Sequence, residues 1–293
     1  MAMKSYEWMV GYTPQTEWIE RRGILIWLAE VSNGIGGGLY LVSLYFNSLL
    51  GMLLSWLIII LLKGGFHFAY LGKPMRFWRM ALKPRTSWLA RGFIFLTLFI
   101  LLGAIQLILS YWLPGTALEF AFKVIAGLII FLVVINTGFV MNYINAIPFW
   151  NSAILPILFL SSGVLDGLGL ILTIGLFKGN IDMMAAEAGT RVLLMINALF
   201  ITIYLWGATY MGPTGKRSVI EIIKGGIAPI LWVGVILCGI IIPFAISISS
   251  YFIVEASVPL LIMAVACEMA GAVSLKYLIL KAALYSPLIP TPP

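Results

Sequence analysis

The run "GILIWLAEVSNGIGGGLYLVSLYF", residues 23–46, is apolar from end to end except for a carboxylate, Glu30, an amide, Asn33, and a knot of glycines between them and Tyr40. At 1.5 Å per residue it extends about 36 Å as a helix, enough to cross a hydrocarbon core of about 30 Å. Seven further runs of similar length follow, at 49–71, 87–113, 118–145, 152–177, 190–212, 225–247 and 256–282. The breaks include Asn47-Ser48, "LGKPMRFWRMALKPRT", "KGNIDMMAAEAGT", "GPTGKRSVIEIIKGG" and "SSYFIVE". Trp88, Trp112, Trp150 and Tyr251 lie near predicted helix ends, where aromatic side chains mark a membrane interface. Only 10% of the 293 residues are charged and 62% are hydrophobic, against about 25% charged in soluble proteins. The expected fold is therefore an all-α, multi-pass integral membrane protein with eight transmembrane helices. Residues 1–22 lack an apolar core long enough for a cleaved signal peptide and read as an interfacial segment; 283–293 read as a tail.

The composition also excludes some chemistry. Cys238 and Cys267 both lie inside apolar runs without ligand spacing, and there is one histidine, His67. That argues against a cluster, zinc or bis-histidine haem site built by this chain alone. The net charge of +7 is read by location and not as nucleic-acid binding. With an even number of spans both termini share one face. That face carries all but four of the 18 Lys/Arg, the exceptions being Lys63, Lys123, Lys178 and Arg191. Its densest part is the loop after the second span, with Lys73, Arg76, Arg79, Lys83 and Arg85 and no acid. Two readings stand: the positive-inside rule, which makes the face cytoplasmic, or a docking surface for an acidic partner.

A repeat joins the first and fifth spans. "SNGIGGGLYL" (32–41) and "SSGVLDGLGL" (161–170) share S-x-G-[IV]-x-x-G-L-x-L, four helices apart and in the same direction. It implies two similar four-helix halves, 23–145 and 152–282, about an axis along the membrane normal.

Ionisable groups inside spans are functional candidates by default. Glu30 and Asn33 fall about 10–15 Å below the basic face, His67 and Arg91 about one turn below it, Asn142 near the surface and Asn136 about 13 Å down. Scattered polar residues would not share one leaflet, so these are expected to line a pocket, with Glu30 a proton exchanger. The second half holds Asp166, Asn197, Glu268 and Lys276, either a proton relay or a structural hydrogen-bond cluster. Glu268 and Lys276 are two turns apart on one face, too far to pair directly.

"YLGKPMRFWRM…SWLARG", "IPFWNSAILPILFLSSG", "SLKYLILKAALYSP" and "GIGGGLYL" fall within residues 30–287. Together they resemble the NrfD/PsrC family, membrane subunits of polysulfide-reductase-type complexes. The resemblance implies two four-helix bundles and a site for a menaquinone-like or ubiquinone-like molecule in the first. It also implies a ferredoxin-like iron–sulfur subunit docked on the adjoining face, with a molybdopterin catalytic subunit beyond it. On that reading Glu30, Asn33, His67, Arg91, Asn136 and Asn142 bind quinone, and Glu30, Asp166, Glu268 and Lys276 form a proton path. Lys73, Arg76, Arg79, Lys83 and Arg85 dock the partner, and no metal is bound by this chain. Where the family has Tyr-[Thr/Pro]-Gly on the fourth helix this chain has Asn136-Thr137-Gly138, and polar residues of the first helix fall near Leu25 and Ala29. The resemblance puts the docking face outside the cytoplasm, against the charge rule; five cations in one loop favour docking. A secondary transporter is the rival, since "SNGIGGG" and "SSGVLDG" could be helix breaks around a substrate.

Overall fold

The computed structural model describes residues 7–178, 181–249 and 258–289. Eight of its helices are long and apolar enough to cross a bilayer. They are α1 (Ile24–Tyr45), α2 (Leu49–Tyr70), α3 (Trp88–Trp112), α4 (Ala117–Asn142), α5 (Ile154–Lys178), α6 (Met183–Ala208), α7 (Ile230–Ser249) and α8 (Val258–Lys281). The molecule is an all-α, multi-pass membrane protein. Tyr251 and the expected start of the last span at 256 lie outside the described residues.

Three expectations change. The sixth span begins at Met183, not 190: the Asp182 carboxylate accepts from the Ala185 amide at 3.0 Å and caps the helix, and Glu187 pairs with Arg191 one turn on. Charge lowers the hydropathy of this turn without opposing its helicity. The stretch "GPTGKRSVIEIIKGG" is not simply a loop, since Gly212–Lys224 form an amphipathic surface helix. Pro213 sits in its first turn, Val219 and Ile222 are buried, and Gly225 follows its end. Trp150 is not an interfacial anchor. It is fully buried, packs on Trp18 with ring centroids 5.3 Å apart, and donates from Nε1 to the Ile279 carbonyl at 2.7 Å.

The architecture turns on α1, which packs on α5 along its length and also meets α2, α4 and α8. The repeat explains how. Gly34 and Gly38 of α1 and Gly163 and Gly167 of α5 are equivalent positions, each pair spaced as G-x-x-x-G. A Cβ on Gly38 would fall on the Gly163 carbonyl, one on Gly167 would fall on Gly38 backbone, and one on Gly163 would lie 3.0 Å from the Gly34 oxygen. The two halves of the repeat thus meet through their own matching glycines. A similar contact, Gly239 against Gly271, joins α7 to α8. Neither glycine-rich stretch breaks its helix: both run as continuous α-helix, so the mid-membrane breaks that motivate the transporter reading are not found there.

On the basic face Thr13–Pro14 pair antiparallel with Leu284–Tyr285, clipping the two terminal segments together as an even number of spans requires. The loop between α2 and α3 forms a 3-10 stretch, Pro74–Leu82, tied back by Phe77 edge-on to Phe68 and Phe93.

The α1–α5 contact predicts a specific sensitivity. Gly38→Ala should lose about 1–3 kcal/mol through overpacking and lower the melting temperature in detergent. Gly207→Ala, where a Cβ meets nothing within 4 Å, should be neutral or slightly stabilising.

Candidate functional site

Below the basic face, α1, α2 and α4 bring four side chains together. Glu30 of α1 accepts through Oε2 from the Thr137 hydroxyl of α4 and lies 4.0 Å from Lys63 Nζ of α2; its Oε1 faces His67 Nε2 at 3.7 Å. Asn33, one turn along, donates to Thr137 Oγ1 at 3.2 Å and to the Val133 carbonyl at 3.3 Å. His67 Nδ1 lies 3.0 Å from the Lys63 carbonyl oxygen, which can only accept. Nδ1 therefore carries the hydrogen, and Nε2 is the nitrogen left to exchange a proton. The His67 side chain is 39% exposed against 10% for Glu30, so the imidazole is the open end of the cluster.

The backbone of α2 makes this alignment. Residues Ile58–Gly64 are π-helical, hydrogen-bonded i→i+5. In a uniform α-helix Ser55 and His67 would point roughly 120° apart. The wider turn advances less per residue, so Ser55, Ile59, Lys63 and His67 stay in one line toward α1. Ser55 bonds the Gly36 carbonyl, Ile59 and Lys63 are buried, and His67 reaches Glu30.

The remaining candidates divide. Asn136 is buried on α4 beside Gly92 of α3, and its Oδ1 has no partner among the described residues. Asn142 is half-buried at the end of α4. Arg91 turns away to the loop, donating to the Pro84 and Arg85 carbonyls at 2.8 Å each, with its guanidinium 4.3 Å from the Trp88 ring centroid. It fastens the basic loop. Lys73, Arg76, Arg79, Lys83 and Arg85 are all exposed there, beside exposed Met75, Trp78 and Leu82.

Sequence reasoning misses Lys63 and Thr137. It sorts Lys63 with the cations away from the basic face, because helix-end arithmetic gives depth and no direction. Thr137 is visible only as part of the altered Asn136-Thr137-Gly138 motif.

In the second half Lys276 Nζ meets Asp166 Oδ2 of α5 at 3.5 Å, both side chains buried. Lys276 thus leaves the basic face for the interior, and its ammonium lies against Gly34 of α1, where a Cβ would collide with it. Glu268 is buried nearby on α8, without a direct pair to Lys276. In the other leaflet of the first half, a series of hydrogen bonds runs from Tyr40 to Gln106 (2.5 Å), Ser110 (2.8 Å) and Glu119 (2.7 Å). Glu119 is paired with Lys123 at 2.7 Å beside a hollow of about 530 Å³.

The family model described as "Polysulphide reductase, NrfD" matches residues 42–287. The protein belongs to this family. It is 26% identical over 152 residues to the C polypeptide of polysulfide reductase from Wolinella succinogenes, a match covering 50% of the present sequence and 48% of that protein. It is 26% identical over 188 residues to "Protein NrfD" of Escherichia coli, covering 62% and 57%. The matches span about half the length of these curated relatives. Family and fold together make it a multi-pass membrane protein of the NrfD type, consistent with a bacterial plasma membrane.

Two measurements test the geometry. Glu30→Gln or Lys63→Met alone should lower thermal stability, by about 3 kcal/mol where one charge loses its partner, and the double variant should recover most of the loss. Arg91→Ala should free the basic loop, speeding tryptic cleavage after Arg79 and Arg85 while the helices stay folded.

Proposed function

We propose that this protein is the quinone-reactive membrane subunit of a multisubunit oxidoreductase whose substrate is sulfur, polysulfide or a related inorganic species. The observation that carries the reading is the Thr137–Glu30–Lys63–His67 cluster, set under an exposed cationic loop in a member of the NrfD family. Electrons would pass between quinol held among α1–α4 and a ferredoxin-like iron–sulfur subunit seated on Lys73, Arg76, Arg79, Lys83 and Arg85. A molybdopterin subunit would complete the route. The mixture of apolar and cationic side chains on that loop suits a protein surface with acidic groups.

The residues fit such a ligand. A quinone oxygen accepts hydrogen bonds and the corresponding quinol hydroxyl donates them. Asn136 offers both an amide N–H and a buried acceptor unused among the described residues, and His67 Nε2 accepts when neutral and donates once protonated. The chemistry a bound quinol supplies is two electrons and two protons. Within the protein, His67 takes a proton at Nε2 while its Nδ1–H stays on the Lys63 carbonyl, which fixes the ring. Glu30 Oε1, 3.7 Å away, is the next acceptor. Lys63 and the Thr137 hydroxyl address its other oxygen, Oε2. Asn136 and Asn33 position and do not exchange, since amides do not titrate in this range.

His67→Ala should lower quinol-dependent turnover by about 10²–10⁴-fold, the usual contribution of a general base. Turnover of the complex with an artificial donor acting directly on the catalytic subunit should be unchanged. Full quinol activity in that variant would remove His67 from the site. Isolation of the protein alone, with solute movement and without a cysteine-rich cluster subunit, would favour the transporter reading instead.

A further inference from the structure

The buried charges of the second half do not cancel. Among the described residues Asp166 is paired with Lys276 at 3.5 Å, and Glu187 with Arg191 at 3.6 Å. That leaves Glu268. It is 3% exposed, ten residues into α8 from Val258 and therefore about 15 Å from the face opposite the basic one. Its Oε1 has no hydrogen-bond partner among the described residues and faces Gly169 of α5. An ionised carboxylate at this depth without a counter-charge is too costly to persist.

A cavity of about 30 Å³ adjoins it, room for one water-sized occupant. Glu268, Thr190, Glu187 and Ser247 supply the polar lining, and Leu172, Leu261 and Ala264 part of the apolar wall. Glu187 and Ser247 lie within about 6 Å of the α6 and α7 ends at the opposite face. The Glu187 side chain is 26% exposed there. The cavity therefore reaches from Glu187 and Ser247, which Arg191 Nη1 bridges at 3.6 and 3.3 Å, inward to Glu268, whose carboxylate has no ion-pair partner among the described residues. Its donors are oxygens only, and the charge to be balanced is one. Hard monovalent cations satisfy both conditions, whereas divalent ions need more oxygen ligands than line this cavity.

We propose that Glu268 binds a single exchangeable monovalent cation, a proton or a sodium ion, reached through this cavity from the face opposite the basic one. The charged groups around it are Asp166 and Lys276 on the α5 and α8 side and Glu187 and Arg191 on α6; α7 contributes the Ser247 hydroxyl. The site stands apart from the quinone reading, being on other helices and read by a different measurement.

The probe is dicyclohexylcarbodiimide, which modifies protonated carboxyl groups in apolar surroundings. It is applied to the full-length protein in native membranes, and the adduct is mapped by peptide mass spectrometry. Glu268 should be labelled, and Glu268→Gln should lose that adduct. Above its midpoint the labelling rate should fall about tenfold per pH unit, as the protonated fraction does. Protection by sodium but not by choline at fixed pH and ionic strength identifies a sodium site; indifference to sodium identifies a proton site. Ala264→Phe or Ser247→Leu, which fill the cavity, should shift the pH midpoint of labelling by about one unit or more in whichever variant elutes as folded protein. No adduct at Glu268 at mildly acidic pH, or an unchanged midpoint in a folded filled variant, overturns the proposal.

Discussion

Everything in this molecule is organised around the backbone contact between α1 and α5. Lipid tails are as apolar as leucine, so burial of aliphatic side chains does little to hold helices together inside a bilayer. What remains is dispersion between closely packed atoms and hydrogen bonds from polar groups with nowhere else to go. Gly34, Gly38, Gly163 and Gly167 let two parallel helices touch along their main chains, and that places α1 at the centre. From there its other faces meet α2, α4 and α8, so one helix carries Glu30 and Asn33 toward α2 and α4 while its Gly34 receives the ammonium of Lys276.

Two kinds of buried polarity result. In the first half a carboxylate is surrounded: a hydroxyl, an ammonium and an imidazole all address Glu30, and only the imidazole has substantial accessible surface. In the second half one carboxylate is matched, Asp166 by Lys276, and its neighbour Glu268 is not matched among the described residues. The first arrangement suits exchange with something arriving beside His67, the second suits an occupant supplied from outside. Between them the α1 backbone is thin enough, at Gly34, for the two groups of charges to be neighbours.

Much of this is legible in the sequence where it depends on length and composition. The span from 23 to 46, the shared motif of 32–41 and 161–170 and the cationic loop are all readable from residue order. The surface helix at Gly212–Lys224 escapes because its hydropathy dips like a loop's, although its apolar spacing is helical. The late start expected for α6 has the same cause, since Asp182, Glu187 and Arg191 lower hydropathy while capping and bracing a helix. Side-chain direction is not legible. Depth arithmetic puts His67 and Arg91 at the same level, yet one turns to Glu30 and the other to loop carbonyls. The Lys276–Asp166 pair joins residues 110 apart in the sequence, a relation that no periodicity encodes.

The π-helical stretch of α2 carries a mechanical consequence. Because Ile58–Gly64 take up extra residues per turn, α2 above and below them is held in two rotational registers that a regular helix could not satisfy together. The lower register is pinned by Ser55 on Gly36, the upper one by Lys63 and His67 on Glu30. If the stretch tightened to α-helix, the upper segment would swing about its own axis and carry the imidazole off the carboxylate, with no change in the number of residues crossing the membrane. Loss of the negative charge on Glu30 weakens the upper pin alone. On the proposed reading, protonation at one oxygen would be coupled to torsion in a helix, and the basic loop hangs from the end that would turn.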